Sequence, residues 1–545
     1  MTLLIMLKNY RNHLIIGLIF FAMTLGQQYL FYALKGLSIV PFSFGKYLLL
    51  VLFFTLATFI RGFGLRLFFL SLIFLLNYFQ MAHLSYFGTQ LVPNEIYLLV
   101  TQFHEIQGTL NAELHHILLP LTLTLIPFLM GFFLLRKADL HRGSRLLGVL
   151  FILYFAYNPI RTYVTGNTWG RQPSTRELGG MNVYLSFSYF LGKILPAKIL
   201  NESHAQTPNS SLSLKVESTQ ESSWDKIIFV MGESLGHTHL SLYGYPRDTT
   251  PTLMALKSDP SFYFSKSLSS GVSTDISLAF FFNLGFGDAG VKKASTGVDC
   301  LFKHGKNQGF ETGFFSIQTN EQLRYINPYL CLPSLNHFYG LEAVAPETVD
   351  TQAAEDRKLL SFLTKYLRPK AKQFFVLHQR GSHAPWAVRS TARSKKFLTP
   401  EGVDSRVDDY DNSVVEFDFF MQELITLLQN QNEKILLVFT SDHGEALGEN
   451  GSYGHGFLNA LTFEVPFMVK SFGQELPLKL STFPKITTHY SIGLFLLEEM
   501  GLSLNQASNS LINDYEIYGN DIDGFAGKAV LKSYYPEGYE AEIKL

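Results

Sequence analysis

The segment SDHGEALGENGSYGHG, at residues 441–456, places a carboxylate beside an imidazole. Asp442 and His443 are adjacent, Gly444 permits close approach of another backbone, and His455 follows twelve residues after His443. Glu233 comes directly after the apolar run IIFVMG. Two carboxylates and one imidazole, with a position left open for a hydroxyl, are a ligand set typical of catalytic zinc. The alternatives are a helix N-terminal charge for Glu233 and a turn or cap for the Asp-His pair.

A hydroxyl group for such a site is available in SSGVSTDISLAFF, residues 269–281. Ser273 and Thr274 precede an apolar run that predicts a buried helix, and neither cysteine of the chain lies near these motifs. A hydroxyl at a helix N-terminus beside a metal would be activated by coordination and by the helix dipole. The alternative is that Ser273 or Thr274 caps the helix.

The segment VLHQRGSHAPW, residues 376–386, contributes two histidines. His383 follows Gly381 and Ser382 in a predicted loop, and we interpret it as a functional residue. His378 lies at a predicted strand end, and we interpret it as a structural residue or as a support for the site.

Strands and helices alternate in the pattern from residue 224 onward. The predicted strands are Ile227–Met231, Thr312–Ile317, Phe374–His378 and Ile435–Thr440, and the predicted helices include Glu355–Leu367 and Val414–Gln429. This alternation predicts an α/β/α sandwich, a mostly parallel sheet with helices on both faces. Chemistry in such sheets lies at the carboxyl ends of the strands, where Glu233, His378 and Asp442 are expected to meet.

The composition indicates a chain that partly faces lipid. Hydrophobic residues make up 47% of the 545 residues and charged residues 16%, against roughly 25% charged in soluble domains. The net charge of -1 provides no positive field for nucleic acid, which we exclude as a partner. The two cysteines, Cys300 and Cys331, are compatible with one disulfide or with two buried thiols.

Five apolar runs before residue 165 predict membrane-crossing helices. They are approximately His13–Leu34, Tyr47–Ile60, Leu65–Met81, Ile117–Leu135 and Leu146–Ile160. The first run is not interpreted as a cleaved signal peptide, because it is long, lacks a small-residue cleavage site and is followed by further spans. The loop Leu84–His116 mixes polar and apolar residues and predicts an amphipathic helix at the membrane surface.

Basic residues orient these spans, because short cytoplasmic loops are enriched in Lys and Arg. Eight basic residues lie on the side predicted to be inside: Lys8, Arg11, Arg61, Arg66, Arg136, Lys137, Arg142 and Arg145. Lys35 and Lys46 lie on the other side. The sequence therefore predicts a multi-pass protein of the bacterial inner membrane, with everything after about Arg161 in the periplasm. The predicted domains are a transmembrane domain at 1–163, a linker at 164–223 and a catalytic domain at 224–545.

Four ordered motifs resemble those of the membrane-bound phosphoethanolamine transferases that decorate lipid A. This group belongs to the sulfatase and alkaline phosphatase superfamily and includes the colistin-resistance enzymes. The matching segments are GES at 232–234 with SLYGYPRDTTPTL at 241–253, SSGVSTDIS at 269–277, HQRGSHAP at 378–385 and SDHGEALGENGSYGHG at 441–456. With the five spans, the resemblance covers nearly the whole chain.

The resemblance implies four ligands for a zinc ion: Glu233, Thr274, Asp442 and His443. Thr274 is then the nucleophile that takes phosphoethanolamine from phosphatidylethanolamine through a zinc-bound phosphothreonine and passes it to lipid A or the lipopolysaccharide core. His383 and His455 hold the phosphoryl group or a second zinc ion and assist proton transfer. The enzyme is expected to be a monomer.

Some positions depart from the family pattern. Ala279 and Phe280 replace a usual Pro-Cys pair, Gly236 replaces a common basic residue, and two cysteines cannot form the family's several disulfides. We expect the metal centre to be retained and the acceptor to differ from that of the colistin-resistance enzymes. The alternatives are a phosphoglycerol transferase or phosphodiesterase of the same fold, a glucan or protein acceptor, and a non-catalytic membrane scaffold. A common sulfatase is discounted, because no C/S-x-P-x-R motif surrounds Thr274.

Overall fold

The computed structural model describes residues 2–37, 44–101, 114–138, 140, 143–165, 179–200, 213–348, 356–400, 403–504, 514–522, 526–535 and 538–544. The chain forms two compact units. The first comprises Met1–Glu202 with Asn450–Tyr453, and the second comprises Ser203–Glu449 with Gly454–Leu545.

The first unit is helical. Its elements are α1 (Thr2–Leu34), α2 (Phe44–Thr58), α3 (Phe63–Phe87), α4 (Pro93–Thr101), α5 (Leu114–Lys137), α6 (Arg145–Thr165), α7 (Gly179–Tyr189), a π-helical turn (Phe190–Ile194) and α8 (Leu195–Leu200). Helices α1, α3, α5 and α6 contain segments long and apolar enough to cross a membrane.

Four of the five predicted crossing helices are present as helices long and apolar enough to cross a membrane. The second predicted span is present as α2, but this helix has 15 residues and is therefore about 22 Å long. That length is less than the roughly 30 Å of a bilayer's hydrocarbon core. The helix ends at Thr58, shortly before Gly62, whose positive φ of 100° interrupts a regular helix.

Polar side chains join the long helices inside this unit. The Gln27 side-chain amide of α1 donates to Thr124 Oγ1 of α5 at 2.7 Å, and Asn77 Nδ2 of α3 donates to Gln27 Oε1 at 3.2 Å. Phe20 of α1 stacks on Phe74 of α3 with ring centroids 5.8 Å apart. In an apolar surrounding polar groups must find partners within the protein, so these contacts fix how the helices pair.

Two predicted connecting regions contain regular structure. The loop Leu84–His116 contains α4, a helix as predicted, although residues 102–113 lie outside the described residues. The predicted linker 164–223 contains α7, α8 and β1 (Val216–Thr219), and the two compact units divide between Glu202 and Ser203. Buried apolar side chains such as Val183, Phe190 and Ile194 explain why residues 179–200 are helical.

The second unit is built around an eight-stranded sheet. Its strands are β2 (Lys226–Gly232), β3 (Phe262–Leu268), β4 (Glu311–Ser316), β5 (His337–Tyr339), β6 (Gln373–His378), β7 (Ile435–Ser441), β10 (Glu464–Phe472) and β11 (Ile486–Thr488). Their order is β11-β3-β10-β7-β2-β6-β4-β5. Only β10 runs antiparallel to its neighbours in this sheet, so the mostly parallel sheet is confirmed, and each of the four predicted strands is present.

Smaller elements complete the described strands. They are β8 (Ala446–Leu447), β9 (Tyr453–Gly454), β12 (Leu502–Leu504), which pairs with β1, and a three-stranded sheet of β13 (Glu516–Tyr518), β14 (Lys528–Tyr535) and β15 (Gly538–Lys544). The helices of this unit are α9 (Pro251–Ala255), α10 (Thr274–Phe282), α11 (Gly290–Thr296), α12 (Leu301–Asn307), α13 (Asn320–Leu323), α14 (Leu341–Val344), α15 (Lys358–Thr364), α16 (Arg406–Gln429), α17 (Ala460–Phe463) and α18 (His489–Glu499).

Both faces of the large sheet are covered. In β2, Ile227 and Phe229 belong to one hydrophobic core together with side chains of α10 and α18. Ile228 and Val230 belong to a second core with side chains of α15 and α16. Successive strand residues point to opposite faces, so a continuous apolar strand needs a helical layer on each side. The predicted α/β/α sandwich is thereby confirmed.

Cys300 and Cys331 form a disulfide, one of the two alternatives that the sequence left open. The bond joins residues 31 apart in sequence and links the start of α12 to the turn before β5.

Candidate metal centre

Two central strands and one helix bring the predicted ligands together. Glu233 follows β2, Asp442 and His443 follow the neighbouring strand β7, and Thr274 is the first residue of α10. The Thr274 hydroxyl donates to Glu233 Oε2 at 3.1 Å, and its distance to Glu233 Oε1 is 3.3 Å. His443 Nε2 lies 3.5 Å from Glu233 Oε1 and 3.4 Å from Asp442 Oδ2. One ligand atom from each of Glu233, Asp442 and His443 lies within 4.8 Å of the others.

These side chains fit a divalent cation. Glu233, Asp442 and His443 are fully buried, and Asp442 Oδ2 and His443 Nε2 are buried atoms without a hydrogen-bond partner. Burial, and then the charge of Asp442, raise the pKa of Glu233 well above its ordinary value. Two adjoining buried carboxylates are costly unless a positive charge compensates them. Two oxygen ligands, one nitrogen ligand and a neighbouring hydroxyl match the donor set of a catalytic zinc site.

The orientation of His443 supports a ligand role. Its Nδ1 lies 2.9 Å from the carbonyl oxygen of Gly444. A carbonyl oxygen only accepts, so Nδ1 carries the proton and Nε2 presents a lone pair to the two carboxylates. Metal-binding histidines are commonly fixed in this way by a hydrogen bond at their other nitrogen.

The positions of Ser273 and Thr274 decide whether their hydroxyl groups cap the helix. Ser273 is the N-cap residue of α10, with no side-chain cap hydrogen bond, and its hydroxyl donates to Asp275 Oδ1 at 2.8 Å. Thr274 directs its hydroxyl to Glu233 rather than to a free backbone N–H of the helix. The helix behind it is buried from Ile276 to Phe282, so the hydroxyl is held on a rigid element.

His383 and His455 lie beside this cluster. The ring of His455 is 4.2 Å from that of His443, and the ring of His383 is 5.8 Å from that of His455, measured between centroids. Desolvation, and then the charge of Arg380, hold the pKa of His383 well below its ordinary value, so this imidazole is neutral near pH 7. The structure thus brings all six predicted site residues together, and their roles remain predictions.

Glu445 is a site residue that the sequence reasoning missed. Its Oε2 lies 2.8 Å from His455 Nδ1, and it forms a second possible ligand group with His443 and His455. Its position within the DHGE segment, next to Gly444, was the available signal.

Two further polar residues, which the sequence reasoning did not identify, support the site. Gln318 donates from Nε2 to Glu233 Oε2 at 2.8 Å, and it follows β4, where the strand-end rule should have pointed to it. The half-buried carboxylate of Asp356 accepts from the backbone N–H groups of Arg380 and Gly381 at 2.9 and 3.0 Å. It thereby fixes the loop that carries His383. No local pattern around Asp356 indicates this contact, because it depends on the pairing of distant segments.

His378 agrees with its interpretation as a supporting residue. It is fully buried, and its Nδ1 lies 2.9 Å from Ser316 Oγ on the adjacent strand β4.

Gly444 has the close backbone approach that the sequence predicted. A Cβ atom at this position would overlap the carbonyl oxygen of Leu461. We expect Gly444→Ala to displace the Asp442–His443 turn and to lower stability by about 1–3 kcal/mol, the usual cost of overpacking. Differential scanning fluorimetry of the purified full chain and a transfer assay check this. Gly236→Ala is the matched control, because the added Cβ there meets its nearest atom at 3.6 Å. Equal melting temperatures for both variants and the native chain contradict the prediction.

The chain is similar to several known proteins. The sulfatase family profile matches residues 225–493. A phosphoethanolamine transferase EptA of Helicobacter pylori is 24% identical over 395 residues, covering 66% of this chain and 70% of that protein. The phosphatidylethanolamine transferase Mcr-1 of Escherichia coli is 29% identical, but the match spans only 43% of this chain and 45% of that protein.

A solved membrane protein shares the fold over most of its length. The integral membrane lipooligosaccharide phosphoethanolamine transferase A of Neisseria meningitidis superposes with a TM-score of 0.58 at 18% identity, covering 91% of this chain and 95% of that one. The resemblance stated from the motifs is confirmed: the chain is a membrane protein with a sulfatase domain, related to the lipid A-type phosphoethanolamine transferases.

Proposed function

We propose that the protein transfers phosphoethanolamine from phosphatidylethanolamine to a cell-envelope acceptor, lipid A or the lipopolysaccharide core. The observation that carries this proposal is the hydroxyl of Thr274 at 3.1 Å from the Glu233 carboxylate, beside Asp442 and His443. Relatives named as phosphoethanolamine transferases supply the chemical identity of the transferred group.

The first half of the proposed reaction uses Thr274 as the nucleophile. Thr274 reacts in its deprotonated form: its Oγ1 forms a bond to phosphorus while the bond from phosphorus to the diacylglycerol oxygen breaks, and that oxygen takes a proton from the protonated His455. Diacylglycerol leaves, and phosphoethanolamine stays on Thr274 as an ester. In the second half the now neutral His455 removes a proton from the acceptor oxygen, which attacks phosphorus and releases Thr274 in its deprotonated form.

Glu233, Thr274, Asp442 and His443 would hold a zinc ion. When bound, such an ion lowers the pKa of the hydroxyl and offsets the negative charge that develops on the phosphoryl oxygens. The group of His443, Glu445 and His455 is where a second ion would bind.

Arg380 contributes positive charge on the His383 side of the proposed site. Its side chain is 9% exposed, and its Nη1 donates to Gln322 Oε1 at 2.6 Å. Its charge lowers the pKa of His383, which shows that its field reaches this imidazole. A planar guanidinium matches the oxygens of a phosphoryl group.

We expect Arg380→Gln to raise the KM for phosphatidylethanolamine about tenfold, the effect of losing one charge-assisted hydrogen bond, with a smaller change in kcat. Steady-state transfer from a fluorescent phosphatidylethanolamine in detergent micelles measures both constants. Arg380→Lys keeps the charge without the planar fork and should recover part of the loss. An unchanged KM in Arg380→Gln removes this residue from donor binding.

The cellular placement is part of the proposal. The bias of basic residues supports a periplasmic position for the second unit of an inner-membrane protein. Labelling of intact cells with membrane-impermeant reagents tests this position. The disulfide between Cys300 and Cys331 supports an oxidising compartment. We propose that the protein acts as a monomer.

Mass spectrometry of lipid A, core oligosaccharide and periplasmic glycans tests the function. The full chain is expressed in a host that lacks such transferases, and phosphoethanolamine on lipid A or core is the expected result. Phosphoglycerol on any of these molecules, or phosphoethanolamine only on a glucan or protein, would replace the proposed reaction by one of the alternatives. An unmodified envelope together with purified protein that binds no zinc would favour the scaffold.

A further inference from the structure

The first unit contains an apolar groove that the proposed chemistry does not use. Its volume is about 430 Å³, and it is bounded by side chains of α2, α3, α6 and α7. The floor is formed by Leu50, Ile73 and Phe151, each at most 8% exposed. The rim includes Leu49 and Leu150, which are 66% and 48% exposed. The cavity is therefore open along one side rather than sealed within the helices.

The groove has the length of a single lipid chain in one leaflet. Along α2 its lining extends from Lys46 to Leu56, a distance of about 15 Å at 1.5 Å per residue. One leaflet contributes about half of the roughly 30 Å hydrocarbon core. An acyl chain lying in the groove would therefore span its leaflet beside α2.

One end of the groove is polar. Lys46 and Tyr47 lie there, in the first turn of α2, and the Tyr47 hydroxyl lies 2.6 Å from the Tyr29 hydroxyl of α1. Lysine and tyrosine at a helix end are typical of the level of lipid head groups. An ammonium group at that level attracts the phosphate of a phospholipid.

The wall on the side of α7 is fixed by a hydrogen bond. The Tyr184 hydroxyl donates to the carbonyl oxygen of Phe155 at 3.2 Å, which joins α7 to α6. Gly180, also in the lining, donates its N–H to Asn77 Oδ1 of α3. Three helices are thus tied together around the cavity, so its shape persists without an occupant.

We propose that this groove binds one acyl chain of phosphatidylethanolamine, with the lipid phosphate at Lys46. The proposal rests on the proposed function for the identity of the lipid, and it assigns the membrane unit a role in donor binding. The acyl chain in the groove loses its contact with bulk lipid but gains fixed apolar walls, while Lys46 attracts the lipid phosphate.

Photocrosslinking tests the groove directly. The purified full chain is reconstituted into vesicles of phosphatidylethanolamine and phosphatidylglycerol that contain a phosphatidylethanolamine with a diazirine in one acyl chain. After irradiation, labelled peptides are identified by mass spectrometry. We expect the label to concentrate on the lining segments of α2 and α6.

Two tryptophan variants on one helix separate the groove from the general lipid surface. Leu150→Trp fills the cavity, and labelling of the lining should fall about tenfold, the loss of roughly two buried methylenes. Leu153→Trp is the matched control, because Leu153 is on the same helix, is 58% exposed and is not part of the lining. Lys46→Gln should weaken labelling while the fold, followed by thermal melting, is unchanged.

Three results would overturn the proposal: equal labelling in both tryptophan variants, label spread evenly over all lipid-facing helices, or equal labelling by a phosphatidylglycerol probe. Crosslinking does not require transfer. If the groove does not bind the lipid, the proposed transfer reaction at Thr274 is not affected. If the protein does not transfer phosphoethanolamine, the labelling pattern still shows whether the groove binds the lipid.

Discussion

Replacement of Thr274 by alanine is expected to abolish phosphoethanolamine transfer while the protein remains folded and inserted. The substitution removes the attacking oxygen, so the covalent step has no substitute, and the rate should fall on the order of 10⁴-fold or more. The substitution removes the hydrogen bond to Glu233 and the contact with Asp442. Mass spectrometry of lipid A and core from cells expressing the variant measures the outcome, and thermal melting of the purified protein verifies the fold.

Two neighbouring variants sharpen this test. Thr274→Ser retains a hydroxyl in the same place and should retain measurable transfer. Ser273→Ala removes the adjacent hydroxyl, which is bonded to Asp275 and not to the cluster, and should leave transfer close to the native level. Native transfer by Thr274→Ala, or loss of transfer in Ser273→Ala alone, would mean that the nucleophile has been assigned wrongly.

Replacement of Glu233 by glutamine is expected to remove the metal and, with it, the activity. The amide has the size of the carboxylate but no charge, so the remaining ligands Thr274, Asp442 and His443 hold a divalent cation with one negative charge fewer. Loss of a supporting residue alone weakens metal sites 10- to 100-fold, and we expect loss of this ligand to weaken zinc binding at least about 100-fold. Elemental analysis of the purified full chain, with competition by a chelator, gives the zinc content and affinity.

A variant of the second ligand group, His443, Glu445 and His455, is the control for Glu233→Gln. Glu445→Gln alters the contact with His455 but leaves Glu233, Asp442 and Thr274 in place. It should keep the ion at the first group even if a second ion is lost. A zinc content and affinity in Glu233→Gln equal to those of the native chain would contradict the ligand assignment.

Much of the candidate site followed from one rule about strands. Continuous apolar runs predicted β2, β6 and β7, and polar residues after such runs meet at the carboxyl edge of a parallel sheet. Glu233, Asp442 and His443 were found in this way, and the structure places them within ligand distance of one another. The rule applied equally to Gln318 after β4, which was overlooked because an amide is not a usual zinc ligand.

Other features depend on contacts that no local pattern contains. Asp356 binds the loop of His383 from 24 residues away, counting to Arg380. The hydroxyl of Thr274, rather than that of Ser273, faces Glu233 because of the orientation in which α10 packs against the sheet. Hydropathy predicted α2 as a short run, Tyr47–Ile60, close to the 15 residues that the helix has. The helices within residues 179–200, by contrast, were assigned to a linker.

The buried setting of α10 has a consequence for how acceptors can vary. Apolar side chains from Ile276 to Phe282 are enclosed on all sides, so the helix that carries Thr274 can neither tilt nor slide without disturbing the hydrophobic core. A bulky glycolipid and a small head group must therefore both bring their phosphorus or oxygen atom to the same fixed point. Under the proposed reaction, a change of acceptor would therefore leave the position of Thr274 unchanged.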